Sequence, residues 1–175
     1  MAQPRLIFGV LLSVAALSAI AGIAAAQDDA GAGQATVRVE PAHLSGPRVL
    51  AVQTEQAAIR DYLESWQAMR AALEQNRPGL LNADFTGTAK DKLSETIHEQ
   101  EAAGIDTRYK DRAHDLQIVF YSPDGLSIEL IDNVDYVVQV FDRGKSVSAQ
   151  PMHARYIVLL TPAEVRWRVR VLQAE

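Results

Sequence analysis

Hydrophobic positions follow three regimes along this 175-residue chain. From Leu6 to Ile23 they are nearly continuous. From Ile59 they return at three- and four-residue steps, through Tyr62, Leu63, Trp66, Met69 and Leu73. From Thr107 onward they alternate singly. The middle regime predicts an amphipathic helix of about 22 residues. Thr54 is suited to cap its start, with Glu55 following, and Asn76-Arg77-Pro78-Gly79 ends it. Leu80 to Phe85 reads as a short connector. Thr86-Gly87-Thr88 then caps a second helix whose core side is Ala89, Leu93 and Ile97, with Gly104 placed to terminate it.

The alternating regime predicts four strands. Leu116, Ile118 and Phe120 alternate in the first. Ser122-Pro123-Asp124-Gly125 is a hairpin turn, and a long second strand runs from Leu126 to Phe141. Asp142-Arg143-Gly144-Lys145 turns the chain into a third strand, from about Ala149 to Leu160. Thr161-Pro162-Ala163-Glu164 leads to the last, Val165 to Leu172. There Val165, Trp167, Val169 and Val171 share one face, and Arg166, Arg168 and Arg170 the other. Two helices followed by an antiparallel meander make an α+β plan. Long strands coil strongly, so the two helices are expected in the concave face of a strongly curved four-stranded antiparallel sheet, a cone.

The first regime is read differently. Arg5 precedes an apolar stretch that closes in Ala24-Ala25-Ala26 before Gln27-Asp28-Asp29, the order of a secretory signal peptide cut after Ala26. The competing reading is an uncleaved anchor, because the stretch approaches the roughly 20 residues that span a bilayer. Either way the domain is exported: periplasmic, cell-surface or secreted. Residues 27–53, which include Pro41, Gly46 and Pro47, read as a flexible linker. Ala35 to Glu40 alternates weakly, enough for a stray edge strand. The folded domain is expected over 54–173.

Composition narrows the chemistry. Cleavage would remove one of the 17 Lys and Arg, moving the net charge from −5 to about −6. That acidity disfavours nonspecific binding to nucleic acid or anionic membranes. With no cysteine, disulfides, thiolate zinc sites and cysteine nucleophiles are excluded. No serine-hydrolase elbow or phosphate-binding glycine loop occurs, and Gly31-Ala32-Gly33 lacks a preceding strand. No cofactor is implied. None of His43, His98, His114 and His153 pairs at metal-ligand spacing, and all four are expected at the surface.

Three elements together resemble the nuclear transport factor 2-like superfamily, a cone-shaped α+β fold. They are the helix Ala57-Ala58-Ile59-Arg60-Asp61-Tyr62-Leu63-Glu64-Ser65-Trp66-Gln67-Ala68, the segment Leu80-Leu81 through Phe85-Thr86-Gly87-Thr88-Ala89 with its helix to Gly104, and a meander ending in Arg166-Trp167-Arg168-Val169. The stretch from Ala57 to Tyr109 is most similar to the domain of plastid-division and cyanobacterial division proteins. The resemblance implies the fold. The superfamily hosts isomerases, dehydratases, hydrolases and noncatalytic binding domains, so it does not decide activity.

Asp132 is the polar residue that stands out. It shares the strand parity of Ile128, Leu130, Val134, Tyr136, Val138 and Val140, so a regular strand points its carboxylate into the cone. Burial would make it a candidate general base, as the resemblance to ketosteroid isomerase-like enzymes implies. The ordinary reading is a β-bulge near Asp132-Asn133 that turns the side chain to solvent. Tyr62, Trp66, Tyr136, Tyr156 and Trp167 are candidates to line a ligand slot, or simply to fill the core. Arg166, Arg168 and Arg170, with Arg155 beside them, form a basic stripe. It would suit an acidic partner or a homodimer contact, or else be a solvated face with Glu129 and Asp135 opposite. No aromatic residue interleaves them, which leaves nucleic-acid stacking unsupported. The leading expectation is a noncatalytic binding or scaffolding domain of the cell envelope, with an unknown protein or small apolar molecule as partner. The alternatives are a cofactor-free isomerase, dehydratase or hydrolase using Asp132, and a membrane-tethered interaction module.

Overall fold

The computed structural model describes residues 35–42, 44 and 48–175. The expected leader, most of the linker's opening, Gly31-Ala32-Gly33, His43 and Gly46-Pro47 lie outside the described residues. Helix α1 spans Val52–Gln75 and helix α2 spans Gly87–Ala103, joined through a 3-10 turn at Pro78–Leu81. Five strands form one sheet in sequence order: β1 (Thr36–Val39), β2 (Ile105–Tyr121), β3 (Ile128–Asp142), β4 (Lys145–Pro162) and β5 (Trp167–Ala174). The expected four-stranded antiparallel sheet is therefore corrected to five strands. β1 is the addition, and it pairs parallel to β2 at Ala113–Leu116. It is four residues long and exposed throughout, so burial imposed no strong apolar pattern on it.

α1 begins two residues before Thr54. Ala51 occupies the cap position, its carbonyl accepting the backbone N–H groups of Thr54 and Glu55, with no side-chain cap. The expected stripe holds at Tyr62, Trp66, Met69 and Leu73, which are buried, while Ile59 and Leu63 are half-buried. Ala58, Asp61, Ser65 and Ala72 complete the inward face. Small residues there allow the helix to approach the sheet closely. α2 buries Ala89, Leu93 and Ile97, and Gly104 ends it at φ 72°. Gln100 ties three elements together: its amide donates to Leu73 O and Asn76 Oδ1, and its Oε1 accepts from Thr107 Oγ1.

β-bulges decide which residues reach the core. Thr107, Tyr109 and Asp111 face inward along the first half of β2. A register break at Arg112 then brings His114, Leu116 and Ile118 to that face. A second break after Ile118 puts Tyr121 inside, so Phe120 does not continue the expected alternation. In β5 a break opposite Leu159–Leu160 places Val169 and Leu172 inward. Val165 lies outside the strand and is 88% exposed, and Val171 faces the other side. Leu126 belongs to the turn rather than to β3. β4 starts at Lys145 because Arg143 and Gly144, at φ 47° and 78°, make a two-residue hairpin turn.

α1 packs against both β2 and β5. In a flat sheet those strands would lie about 14 Å apart, since neighbours are separated by about 4.8 Å, so the sheet curls round the helix. The free edge of β5 is closed by the helical layer. Val169 N–H donates to Asp84 O and its carbonyl accepts from Thr86 N–H, while Trp167 N–H donates to the buried Asp61 carboxylate. Among the described residues no helix is long and apolar enough to cross a membrane.

Replacing Gly104 by Ala keeps open space around the new Cβ but forces it into the left-handed region. The expected cost is about 1 kcal/mol of unfolding free energy in urea titration.

Candidate functional site

α1 and the middle of the sheet converge on Asp132. No bulge interrupts β3 there: Asp132 pairs in register with Leu116 on β2 and Tyr156 on β4. Its side chain is fully buried, which corrects the solvent-facing reading. Regular alternation is enough to turn it in. One oxygen, Oδ2, accepts from Tyr62 Oη and lies against His114 Nδ1, each at 2.7 Å. Oδ1 completes no hydrogen bond.

His114 is the clearest departure from the expected surface histidines, at 2% exposed. The bulge at Arg112 sets it on the parity of Leu116 and Ile118. Its other ring nitrogen faces Asp111 Oδ2 at 3.9 Å, beyond hydrogen-bond reach but close for two charges. Asp111 in turn accepts from Arg70 Nη1 at 2.6 Å. The side chain of Arg70 is 36% exposed, whereas those of Asp111 and His114 are 6% and 3% exposed. Alternating charge thus runs from solvent to the closed end of the cone: Arg70, Asp111, His114, Asp132, then the Tyr62 hydroxyl.

The electrostatics follow from that order. Burial works against a charged imidazole, but the carboxylates of Asp111 and Asp132 outweigh it and push His114 up to about 9. Burial likewise works against the charged form of Asp111. The His114 ring, the Arg70 charge and the Trp66 indole N–H overcome it and hold the carboxyl below its ordinary range. Tyr62 is driven well above its ordinary value by burial and by the adjacent Asp132 carboxylate, so it stays a hydrogen-bond donor. At neutral pH His114 is an imidazolium, set between Asp111 and Asp132.

The aromatic candidates surround this chain of charges. The indole of Trp66 has ring centroids of His114 at 5.2 Å, Tyr156 at 5.4 Å, Tyr136 at 6.2 Å, Tyr109 at 6.4 Å and Tyr62 at 6.5 Å. Tilted and edge-on rings at such distances attract one another. Tyr136 and Tyr156 join hydroxyls at 3.2 Å. Tyr62, Trp66, Tyr136 and Tyr156 are thus brought together and are all buried; Trp167 is half-buried and packs at the margin of the core. Two surface concavities have volumes of about 420 and 390 Å³, and Tyr136 of the aromatic cluster also lines the second. One is formed around Leu159 and Arg170, the other around Arg112, Asp135 and His153. Neither is lined by Asp132, His114 or Tyr62.

The arginines do not form a free stripe. Arg166 pairs with Asp84 and, at 3.3 Å, with Glu64. Arg168 donates to the carbonyls of Asn82 and Phe85, and Arg155 pairs with Glu175. Arg170 alone of the four is exposed, its side chain against Gly87. Their partners come from the helical layer and the C-terminus rather than from Glu129 or Asp135, and Asp135 instead holds His153. Strand alternation alone could not foresee this, because the carbonyls left free by the 3-10 turn are invisible in a residue pattern. Sequence reasoning also missed Asp111, Arg70 and His114. Counting back by twos from Leu116 finds His114, and Arg70 lies one helical turn after Trp66. Among the described residues no cluster of three or more His, Asp or Glu is arranged to hold a metal ion.

Asp132→Asn should destabilise the fold by about 3 kcal/mol in chemical denaturation, because it leaves the buried His114 charge without its nearest partner. The His114 pKa also predicts a pH dependence. It is near 9 folded and 6.5 unfolded, so its stabilisation is complete below pH 6.5 and lost as pH rises through 9. The expected loss is about 2 kcal/mol after discounting for solvent near Arg70. A His114→Gln variant should lack that alkaline decline when unfolding is followed from pH 6 to pH 10.

No family model and no curated protein matches the chain. Solved structures do. The intermembrane space region of the chloroplast protein ARC6 superposes with a TM-score of 0.58 at 13% identity, over 73% of this chain and 98% of that one. A putative scytalone dehydratase from Novosphingobium aromaticivorans follows at a TM-score of 0.50 and 14% identity, over 71% of this chain and 89% of that one. Identities so low speak to architecture alone. The chain shares the α+β fold of these structures, in keeping with the fold that the resemblance to nuclear transport factor 2-like proteins implied.

Proposed function

We propose that this protein is a noncatalytic binding or scaffolding domain, exported to the cell envelope. The observation that carries the reading is the position of Trp66. Its indole fills the cone at 2% exposure, and the chain of charges behind it is satisfied mainly by its own members. A substrate would have to displace a packed indole to reach Asp132. The signal-peptide pattern at the start of the sequence supports export. The likeness to an intermembrane space region of a chloroplast protein is in keeping with a domain that works at a membrane boundary. Binding then falls to the outer surfaces, with a protein partner. Tethering through an uncut leader is a variant of the same reading.

A second reading rests on one specific observation. A carboxylate, an imidazole and a phenol meet at a single oxygen, an arrangement able to move a proton to or from carbon. It would make the protein an isomerase or dehydratase of small apolar molecules if Trp66 moved aside.

Incubation with cyclic ketones and β-hydroxy ketones separates the two. These are the substrates a carboxylate–imidazole pair would enolise or dehydrate. The expected result is no turnover above the buffer reaction and no change in Tm. Turnover that disappears in Asp132→Asn, with that variant still folded by circular dichroism, would overturn the noncatalytic reading.

A further inference from the structure

The geometry points to the cone being a binding site for a planar, N–H-bearing bicyclic ring, occupied in this chain by its own Trp66. The inference rests on the closed-cone reading and deepens it by naming what the cone recognises. The walls come from four separate elements: Tyr62 from α1, Tyr109 and His114 from β2, Tyr136 from β3 and Tyr156 from β4. The indole is not what fixes the walls. Tyr62 and His114 are both tied to Asp132, Tyr136 and Tyr156 are tied hydroxyl to hydroxyl, and Tyr109 lies against Tyr136 at 5.2 Å between centroids.

That independence has a physical consequence. Removal of a core side chain leaves a cavity whose fate depends on how easily its lining can collapse. Here Tyr62, His114, Tyr136 and Tyr156 are hydrogen-bonded to partners other than the removed ring and Tyr109 packs on Tyr136, so the space should persist in the shape of an indole. The polar side of the site adds selectivity. The indole N–H of Trp66 and Asp111 Oδ1 are both buried and neither completes a hydrogen bond, while the indole N–H helps hold the Asp111 carboxyl in its charged form. Arg70 anchors that carboxylate from the solvent side. A free ring able to shift slightly can bring its N–H onto Asp111, which a ring fixed to the α1 backbone does not. Recognition therefore combines five ring contacts with one charge-assisted donor position.

The test uses Trp66→Gly in the otherwise intact chain, with indole and benzofuran as probes. The two have nearly the same shape, and only indole carries the N–H. Indole should raise the Tm of Trp66→Gly in a saturable manner and leave the wild-type Tm unchanged. Benzofuran should bind about tenfold more weakly, the difference expected for one buried hydrogen bond. Adding Asp111→Asn should shrink that preference. Should Trp66→Gly be unfolded in buffer, refolding it in millimolar indole should restore its circular dichroism, and benzofuran should do so less well. Absence of saturable binding to folded Trp66→Gly, or failure of indole to rescue an unfolded one, would overturn the inference. So would equal binding of the two probes. Indole binding to the wild type would instead contradict the closed cone itself, so the two failures are told apart by which protein responds.

Discussion

A carboxylate with no solvent exposure has to be compensated where it stands, and the compensation of Asp132 organises this fold. A lone buried charge costs several kcal/mol, and a buried pair is tolerated only when its remaining polar atoms are largely matched. Here one oxygen of Asp132 gathers a phenol from α1 and an imidazole from β2. Those two bonds fix the rotation of the helix against the sheet, because Tyr62 can reach β3 from only one face of α1. They also place His114, and through it Asp111 and Arg70, along a single line to solvent. The helix, two strands and the charged mouth of the cone all meet in that one contact.

The hydrophobic contribution is built around the same centre. Trp66 follows Tyr62 by one helical turn, so the residue that bonds Asp132 and the residue that fills the cone lie on the same stripe. Aromatic side chains bury large areas, and one indole with five ring neighbours closes a space that smaller residues would leave open. Bulges then adapt the long strands to this centre. Without the break at Arg112, the parity that brings Tyr109 and Asp111 inward would send His114 outward. His114 stands between Asp111 and Asp132 because one extra residue was accommodated in β2.

Much of the scaffold was legible in the sequence. Helical spacing located α1, α2 and their core residues, and turn chemistry at Ser122–Gly125 and Asp142–Lys145 located the hairpins. What escaped was governed by events that leave no periodic signature. β1 is short and exposed, so alternation in it is weak. Phe120 and Val171 were misplaced because bulges change parity without changing composition, and Val165 because the strand begins only at Trp167. The basic stripe dissolved because Arg166 and Arg168 bind carboxylates and carbonyls of the helical layer, which only the tertiary arrangement brings near. Asp132 was legible as an inward position by parity. Its partners were not, because Tyr62 and His114 are 70 and 18 residues away.

The central claim is that the cone is shut by a packed indole over a compensated buried charge. Hydrogen–deuterium exchange at the indole N–H of Trp66, followed by NMR with Trp167 as internal reference, tests it most directly. A packed indole exchanges only when the domain unfolds, so its rate should track the global unfolding free energy while Trp167, at the margin, exchanges much faster. Comparable fast exchange at both indoles would mean that the cone opens in the native state, and would contradict the account.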